Sequence, residues 1–291
     1  MTIFNLGSIN VDHVYQVPRI PALGETLAST DYAQGLGGKG ANLSVAAAKA
    51  GGRVVHVGAV GEGAERVLAE LEGYGVGLEH VARREGPTGH AVITVDAGGE
   101  NAIVLLPGAN MTIAGEEVAA ALGAAQAGDI FVTQNETNGQ EDAAARASAA
   151  GLRVCYCAAP FEAGAVSAML PHADLLILNA VEAAQLQEAT GRAPDALGVA
   201  DVIVTRGAEG VTWYGPEGAA EFSAPKVTAR DTTGAGDTFA GYLLAGLDEG
   251  QGMEAAIGLA LRAAALKVTR PGAAAGIPLR GEVEASPSEN K

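Results

Sequence analysis

Residues 231–242 read DTTGAGDTFAGY, a run that crowds small residues and two aspartates ahead of an apolar stretch. Phe239, Tyr242, Leu243 and Gly246 fall near one face at helical spacing. The segment from Thr232 to Asp237 therefore sits where a helix begins. A helix start offers unpaired backbone N–H groups and the positive end of the helix dipole, and glycines let an anion come close to both. Gly234, Ala235 and Gly236 read as a seat for an anion. Asp237 reads either as a first-turn acid that complements the dipole or as a group with chemistry of its own.

Five other stretches carry polar groups at chemically useful spacing. Residues 35–42, GLGGKGAN, match the letters of a dinucleotide fingerprint and part of a P-loop. They do not follow the first strand directly, and Gly40 stands where a P-loop needs Ser or Thr, so both matches fail on context. What remains is a glycine-rich helix start in which Lys39 and Asn42, one turn apart, suit hydrogen bonds to neutral hydroxyls, or else a tight turn with a solvated lysine. Asn10 and Asp12 share one side of an extended segment by the period of two. An amide and a carboxylate so placed can hold adjacent hydroxyls, and each is equally explained as a cap or an Asx turn. Glu136, closing the run DIFVTQNE, is a third polar contact or a loop acid. Asn179 and Glu182 have capping-box spacing, and the same pair could face a hydrated Mg²⁺. Thr205 to Gly210, TRGAEG, could wrap phosphates beside Arg206 or form an ordinary turn. His13, His56, His80, His90 and His172 show no metal-ligand spacing.

These groups need a scaffold. Apolar runs of strand length at 2–7, 53–58, 129–134, 153–158, 174–179 and 201–207 alternate with helical stretches at 40–51, 63–75, 115–128, 183–191, 234–247 and 252–269. That alternation predicts a single α/β domain over 1–291, a three-layer sandwich whose mostly parallel central sheet is covered by helices on both faces. Ligands bind such sheets beyond the carboxyl ends of the strands, which sets Asn10, Glu136, Asn179 and Thr205 on one rim. Two β-rich segments, about 11–35 and 88–108, break the pattern and read as an inserted, small antiparallel lid. DAGGEN at 96–101 is the hairpin signal in the second. A frayed tail is expected over 281–291.

Composition narrows the classes. Of 291 residues, 48% are hydrophobic, so the chain is globular. The formal net charge of −16 argues against nucleic acid or an anionic membrane as partner, yet leaves room for a nucleotide bound by local donors and a metal ion. No apolar run has the length of a membrane span, and the first residues carry no signal-peptide pattern, so a cytoplasmic protein is expected. Cys155 and Cys157, two apart on one strand, are expected as buried thiols.

In order, GSINVDH, GGKGAN, QNE, NAVE, TRGAEG and DTTGAGDTF resemble the motifs of the ribokinase-like (phosphofructokinase-B type) carbohydrate kinases, from Gly7 to about Pro278. DTTGAGDTF is the most specific of them. The resemblance implies an ATP-dependent kinase acting on a sugar hydroxymethyl group, with D-ribose converted to ribose 5-phosphate as the first reading. A kinase for a fructose-type sugar or a nucleoside is the alternative, and a non-catalytic sugar- or nucleotide-binding regulator is the reading from another class. By the same resemblance Asp237 is the base, and the N–H groups of Gly234, Ala235 and Gly236 form an anion hole. Asn10, Asp12, Gly38, Lys39, Asn42 and Glu136 contact the sugar. Asn179, Thr205, Arg206, Gly207, Ala208, Glu209, Gly210 and Gly236 bind ATP, and Asn179 and Glu182 serve Mg²⁺ through water. Asp231, Thr233 and Gly272, with the backbone carbonyls of Lys267 and Arg270, hold an activating K⁺. The lid pairs two subunits, so a homodimer is implied. Three positions depart from the family pattern: Cys157 replaces an Asn or Asp, Gly276 replaces a residue that often gives the cation an oxygen, and Leu261 stands near an expected His.

Overall fold

A computed structural model of the chain describes residues 1–286. Period-two burial builds its centre. In β1 (Ile3–Leu6) Ile3 faces one core and Phe4 the other, and Val54/Val55, Ile130/Phe131 and Leu175/Leu176 divide in the same way. Strands apolar on both sides need a layer of helices on each face. One layer is α1 (Lys39–Lys49), α2 (Glu65–Gly73), α7 (Ala235–Asp248), α8 (Met253–Val268) and α9 (Arg280–Ala285). The other is α3 (Gly115–Leu122), α4 (Gln140–Ala149), α5 (Ala163–Met169) and α6 (Ala180–Thr190).

Beside β1, the central sheet contains β4 (Val54–Glu62), β5 (Gly77–Pro87), β8 (Ile130–Gln134), β9 (Arg153–Cys157), β10 (Leu175–Asn179), β11 (Asp201–Thr205), β12 (Val211–Gly215) and β13 (Gly218–Phe222). Its order is β13-β12-β11-β10-β9-β8-β1-β4-β5. From β5 to β11 every pairing is parallel, and β12 and β13 add an antiparallel hairpin at one edge. All six expected strands are present. Cys155 and Cys157 are buried, free and turned to the same layer.

The lid has four strands, β2 (Asn10–Gln16), β3 (Asp31–Gly37), β6 (Gly89–Val95) and β7 (Asn101–Leu106), in the order β3-β2-β6-β7. Its β2–β3 and β6–β7 pairs are antiparallel, and a parallel β2–β6 pair joins them. The hairpin signal at 96–101 is the β6–β7 turn, where the Asp96 carboxylate accepts from the N–H groups of Gly98 and Glu100. The expected frayed tail needs correction over its first residues. Residues 280–285 are helical because Val283 is fully buried in the core and Glu282 pairs with Arg270. Residues 287–291 of that expectation lie outside the described residues.

One contact sets the start of α1 against the end of β1. A Cβ on Gly40 would fall inside contact distance of the Gly7 Cα and the Ser8 N, so backbone meets backbone there. Asn5 locks the junction by donating from Nδ2 to the Gly40 carbonyl at 2.7 Å and to Ser44 Oγ at 2.8 Å. Ser44 in turn meets His56 Nδ1 at 2.9 Å, and burial pushes the His56 pKa down to about 4, leaving a neutral structural imidazole. Gly40→Ala is expected to force α1 off β1 and to lower stability by about 1–3 kcal/mol, the usual range for overpacking. Urea unfolding followed by circular dichroism checks it.

Candidate active site

The carboxyl ends of β1, β8, β10 and β11 and the starts of α1, α6 and α7 bring most of the expected residues to one rim. Gly234 precedes α7 with φ 73°, a left-handed turn that suits glycine, and Asp237 is the third residue of the helix. Of the three expected anion-hole donors, the Ala235 N–H is already given to the Thr232 carbonyl at 3.1 Å, closing the turn before the helix. The Gly234 and Gly236 N–H groups donate to no backbone carbonyl among the described residues.

Asp237 Oδ2 accepts from Asn42 Nδ2, on α1, at 3.0 Å. Burial pushes the Asp237 pKa up to about 6, with Lys39 and the Asn42 hydrogen bond opposing and Glu136 and Glu182 adding to the rise. Burial works against the Lys39 charge, but the carboxylates of Asp237, Glu136 and Glu182 outweigh it and raise the lysine pKa. The cleft thus holds three carboxylates around one ammonium. Asn42 Oδ1 is buried with no hydrogen-bond partner among the described residues, an acceptor that a ligand hydroxyl would satisfy.

The lid supplies the opposite wall. Asn10 and Asp12 lie on β2 beside Gly37 and Gly35 of β3. Asp12 folds over Gly37, where any Cβ would collide with its carboxyl group. Burial and the neighbouring Glu136 push the Asp12 pKa up to about 6. Asn10 Oδ1 accepts from Asn110 Nδ2 at 2.7 Å, while Asn110 Oδ1 accepts from the Ile9 N–H at 2.9 Å. Asn110 therefore fixes the Asn10 amide, whose Nδ2 has no protein partner among the described residues. Sequence reasoning missed Asn110; its only signal is the PGAN run that follows β7. Glu136 Oε2 accepts from the Lys39 N–H at 2.9 Å and from Ser8 Oγ, so this acid caps α1 as well as facing the cleft.

The other expected sites divide. Asn179 and Glu182 form a reciprocal capping box: the Asn179 N–H donates to Glu182 Oε2 at 2.8 Å, and the Glu182 N–H to Asn179 Oδ1 at 2.9 Å. Burial raises the Glu182 pKa against that N–H bond and Lys39. A carboxylate so short of positive charge, with oxygen donors around it, fits a hydrated Mg²⁺. Among the described residues no three His, Cys, Asp or Glu side chains cluster as direct metal ligands. Thr205 pairs with Asn179 across β10 and β11. Residues 207–209 make a tight turn into β12, and the Arg206 guanidinium is turned to Glu221 on β13 at 3.1 Å.

Asp231 anchors the loop before α7. Its Oδ1 accepts from the Thr233 N–H at 2.9 Å and its Oδ2 from the Gly272 N–H at 2.7 Å. Burial alone would raise its pKa, but these N–H groups and Lys267 draw it down. Asp231, Thr233, Gly272 and Lys267, expected around K⁺, do come together here, while the Arg270 side chain, of which only the backbone carbonyl was expected to take part, pairs with Glu282. They do not fit a free K⁺ ion, because the Lys267 Nζ stands among them, 2.9 Å from the Asp231 carbonyl oxygen.

Comparison with known proteins identifies the family. The pfkB family carbohydrate kinases match residues 2–280. A Haemophilus influenzae ribokinase is 34% identical, covering 97% of this chain and 96% of its own length. The structure of a Thermotoga maritima ribokinase superposes with a TM-score of 0.89 at 32% identity over 98% of each chain. An Arabidopsis thaliana ribokinase complexed with ribose and ATP superposes with a TM-score of 0.84 at 28% identity over 97% of each. Among the described residues, no helix is long and apolar enough to cross a membrane. The chain, with a helix start that carries free N–H groups, an aspartate beside it and a lid across it, belongs to the pfkB family of carbohydrate kinases and is an ATP-dependent sugar kinase.

Proposed function

We propose that the protein transfers the γ-phosphoryl group of ATP to the 5-hydroxyl of D-ribose. The observation that carries the reading is the Asp237 carboxylate, tied to Asn42 at 3.0 Å beside the free N–H of Gly236. Asp237 takes the hydroxyl proton as the oxygen attacks the γ-phosphorus, the bond to the bridging oxygen breaks, and ADP leaves. The Gly234 and Gly236 N–H groups and the Lys39 ammonium meet the charge on the transferring group. Asn10, through its Nδ2 donors, Asp12, as an acceptor, and Asn42, through its unpartnered Oδ1, hold the sugar hydroxyls. ATP lies along Asn179 and the Thr205–Gly210 turn, with Arg206 released from Glu221. Glu182 and Asn179 would hold a hydrated Mg²⁺, which would supply charge neutralisation for the phosphates.

Support for a sugar over a nucleoside comes from the cleft face of the lid, which carries Asn10 and Asp12. Tyr15 and Tyr32, paired across β2 and β3, lie on the opposite face by the period of two and pack on one another at 5.0 Å between ring centroids, so they offer a base no stacking wall in the cleft. ADP release measured over ribose, deoxyribose, fructose and several nucleosides is expected to favour ribose; preference for another member of the panel would move the substrate and keep the mechanism. Asp237→Asn should lower kcat by about 10²–10⁴, the usual share of a general base. It should leave the melting temperature at pH 7.5 unchanged or higher, because a carboxyl whose pKa is raised in the fold costs stability when ionised.

Proton linkage gives the pH profile. Asp237 must be ionised to take the hydroxyl proton and Asp12 to accept hydrogen bonds from sugar hydroxyls at both oxygens, and both are pushed up to about 6. The rate is expected to be flat above about pH 7 and to fall as pH drops through about 6, with the two acids titrating as a coupled set. An acid limb confined to the ordinary aspartate range near 4 would contradict it.

The lid also supports a homodimer. Every residue of β7 is exposed, with Val104 at 71%. A sheet this bare needs a partner sheet. Light scattering is expected to give twice the chain mass for the wild type and a single chain mass for Val104→Asp.

A further inference from the structure

The fold itself fills the cluster expected to hold K⁺. The Lys267 side chain is 0% exposed, on the last turn of α8. Its Nζ donates to the Asp231 backbone carbonyl at 2.9 Å and lies 3.9 Å from Asp231 Oδ1. The Lys267 carbonyl, expected as a cation ligand, instead accepts from the Arg270 N–H at 2.9 Å. An ion placed against the Asp231 oxygen would meet a buried ammonium, and like charges in a poorly hydrated site repel strongly.

Gly276 makes room for this arrangement. A Cβ there would come within 2.9 Å of the Pro271 carbonyl oxygen and 3.4 Å of Lys267 Cε. A larger residue at 276 would press on the lysine stem. The glycine that in sequence looks like a missing oxygen ligand is, in space, the clearance for an amino group.

We propose that the Lys267 ammonium is a built-in replacement for a monovalent cation, so that this kinase needs no K⁺. The tethered charge does what an ion between the same oxygens would do. It pulls the Asp231 carbonyl and carboxylate toward the end of α8, where the Val268 carbonyl also accepts from the N–H groups of Arg230 and Asp231 at 2.7 and 3.0 Å. Asp231 then holds the N–H groups of Thr233 and Gly272, which sets Gly234 in its left-handed turn and α7 at its start. Lys267 is a positioning residue: it acts on the anion seat through Asp231. Lys49 does a similar service on the far side of the 271–277 loop, donating to the Ile277 carbonyl at 2.9 Å and the Ala274 carbonyl at 3.3 Å.

The activity arm of the test rests on the kinase reading, while the melting arm does not. The purified protein is assayed and melted in KCl, NaCl and tetramethylammonium chloride at one ionic strength. Wild-type rates are expected within about twofold of one another, as for screening alone, and melting temperatures are expected to coincide. Lys267→Ala removes the ammonium and leaves a space. It should lose about tenfold or more in tetramethylammonium and recover in K⁺ or NH₄⁺, with a melting temperature that rises with K⁺ by mass action. Lys267→Met, which keeps the stem and fills the space, should lose rate without recovery.

A saturable rise of the wild-type rate with K⁺, accompanied by a rise in melting temperature, would overturn the proposal. So would a Lys267→Ala protein as active as the wild type in tetramethylammonium. If Lys267→Ala fails to fold, the wild-type measurements decide alone. If no panel sugar turns over, the substrate reading fails, while the wild-type melting comparison still answers the cation question.

Discussion

A helix that must begin with its first N–H groups unpaired is the constraint around which this molecule is arranged. Unpaired donors are stable only where water or an anion can reach them, so α7 has to start at a rim and not in a core. The parallel sheet provides that rim, because its strand ends and helix starts lie on the same side. Beyond its first residues α7 is almost wholly buried, from Thr238 to Leu247, and packs on α1 and α8. Its position is fixed by apolar burial and only its tip is chemical. The tip itself is held by Asp231, whose two carboxylate oxygens are engaged by Thr233 and Gly272.

Charge is concentrated next to that tip at a cost to stability. Asp237, Glu136 and Glu182 share one ammonium, Lys39, and the rise in the pKa of Asp237 and Glu182 is the sign that the folded state does not fully solvate them. A carboxylate raised to about 6 remains ionised at neutral pH and is a better proton acceptor than a free aspartate, which is what the role proposed for Asp237 requires. The same imbalance leaves the cleft ready for positive charge, which a metal–nucleotide complex brings. Stability given up at such a site is recovered elsewhere, here in two continuous cores whose strands are buried on both faces.

Much of this is legible in the amino-acid sequence. Alternating apolar runs gave the parallel core, since strand and helix periods are local properties of the chain, and the DAGGEN signal located the lid hairpin. The motif residues Asn42, Asp237, Lys39 and Glu136 converge as expected. What escaped depends on long-range contacts. The β12–β13 hairpin has no strict alternation and is recognisable only as an edge. The α4 and α5 segments are rich in Ala and Gly, so their apolar faces are weak as patterns. The last helix exists because Val283 finds the core and Glu282 finds Arg270. Asn110 acts on Asn10 across 100 positions. Lys267 had a signal that went unused: Ala256, Ala260, Ala263 and Lys267 fall on one buried stripe of α8, and a lysine on such a stripe must have a partner inside.

The lid joins two requirements in one strand. Asn10 and Asp12 lie at the start of β2, nearest the strand ends of the core, and β2 then runs out to Tyr15 and Gln16 between β3 and β6. Nothing in the central sheet pairs with it; the lid hangs from short links at residues 7–9 and 37–39 and from the 87–89 and 106–108 connections. A sheet attached only at one end is tilted easily as a body, whereas its internal register is stiff, because a one-residue slip would reverse every side chain. Asn10 and Asp12 therefore move together, and Asn110 keeps the amide aligned through any tilt that preserves its contact with Ile9. A partner sheet laid on the bare strands would restrict that tilt. In the proposed homodimer, subunit pairing and the placement of Asn10 and Asp12 would be coupled mechanically, through β2 and β6.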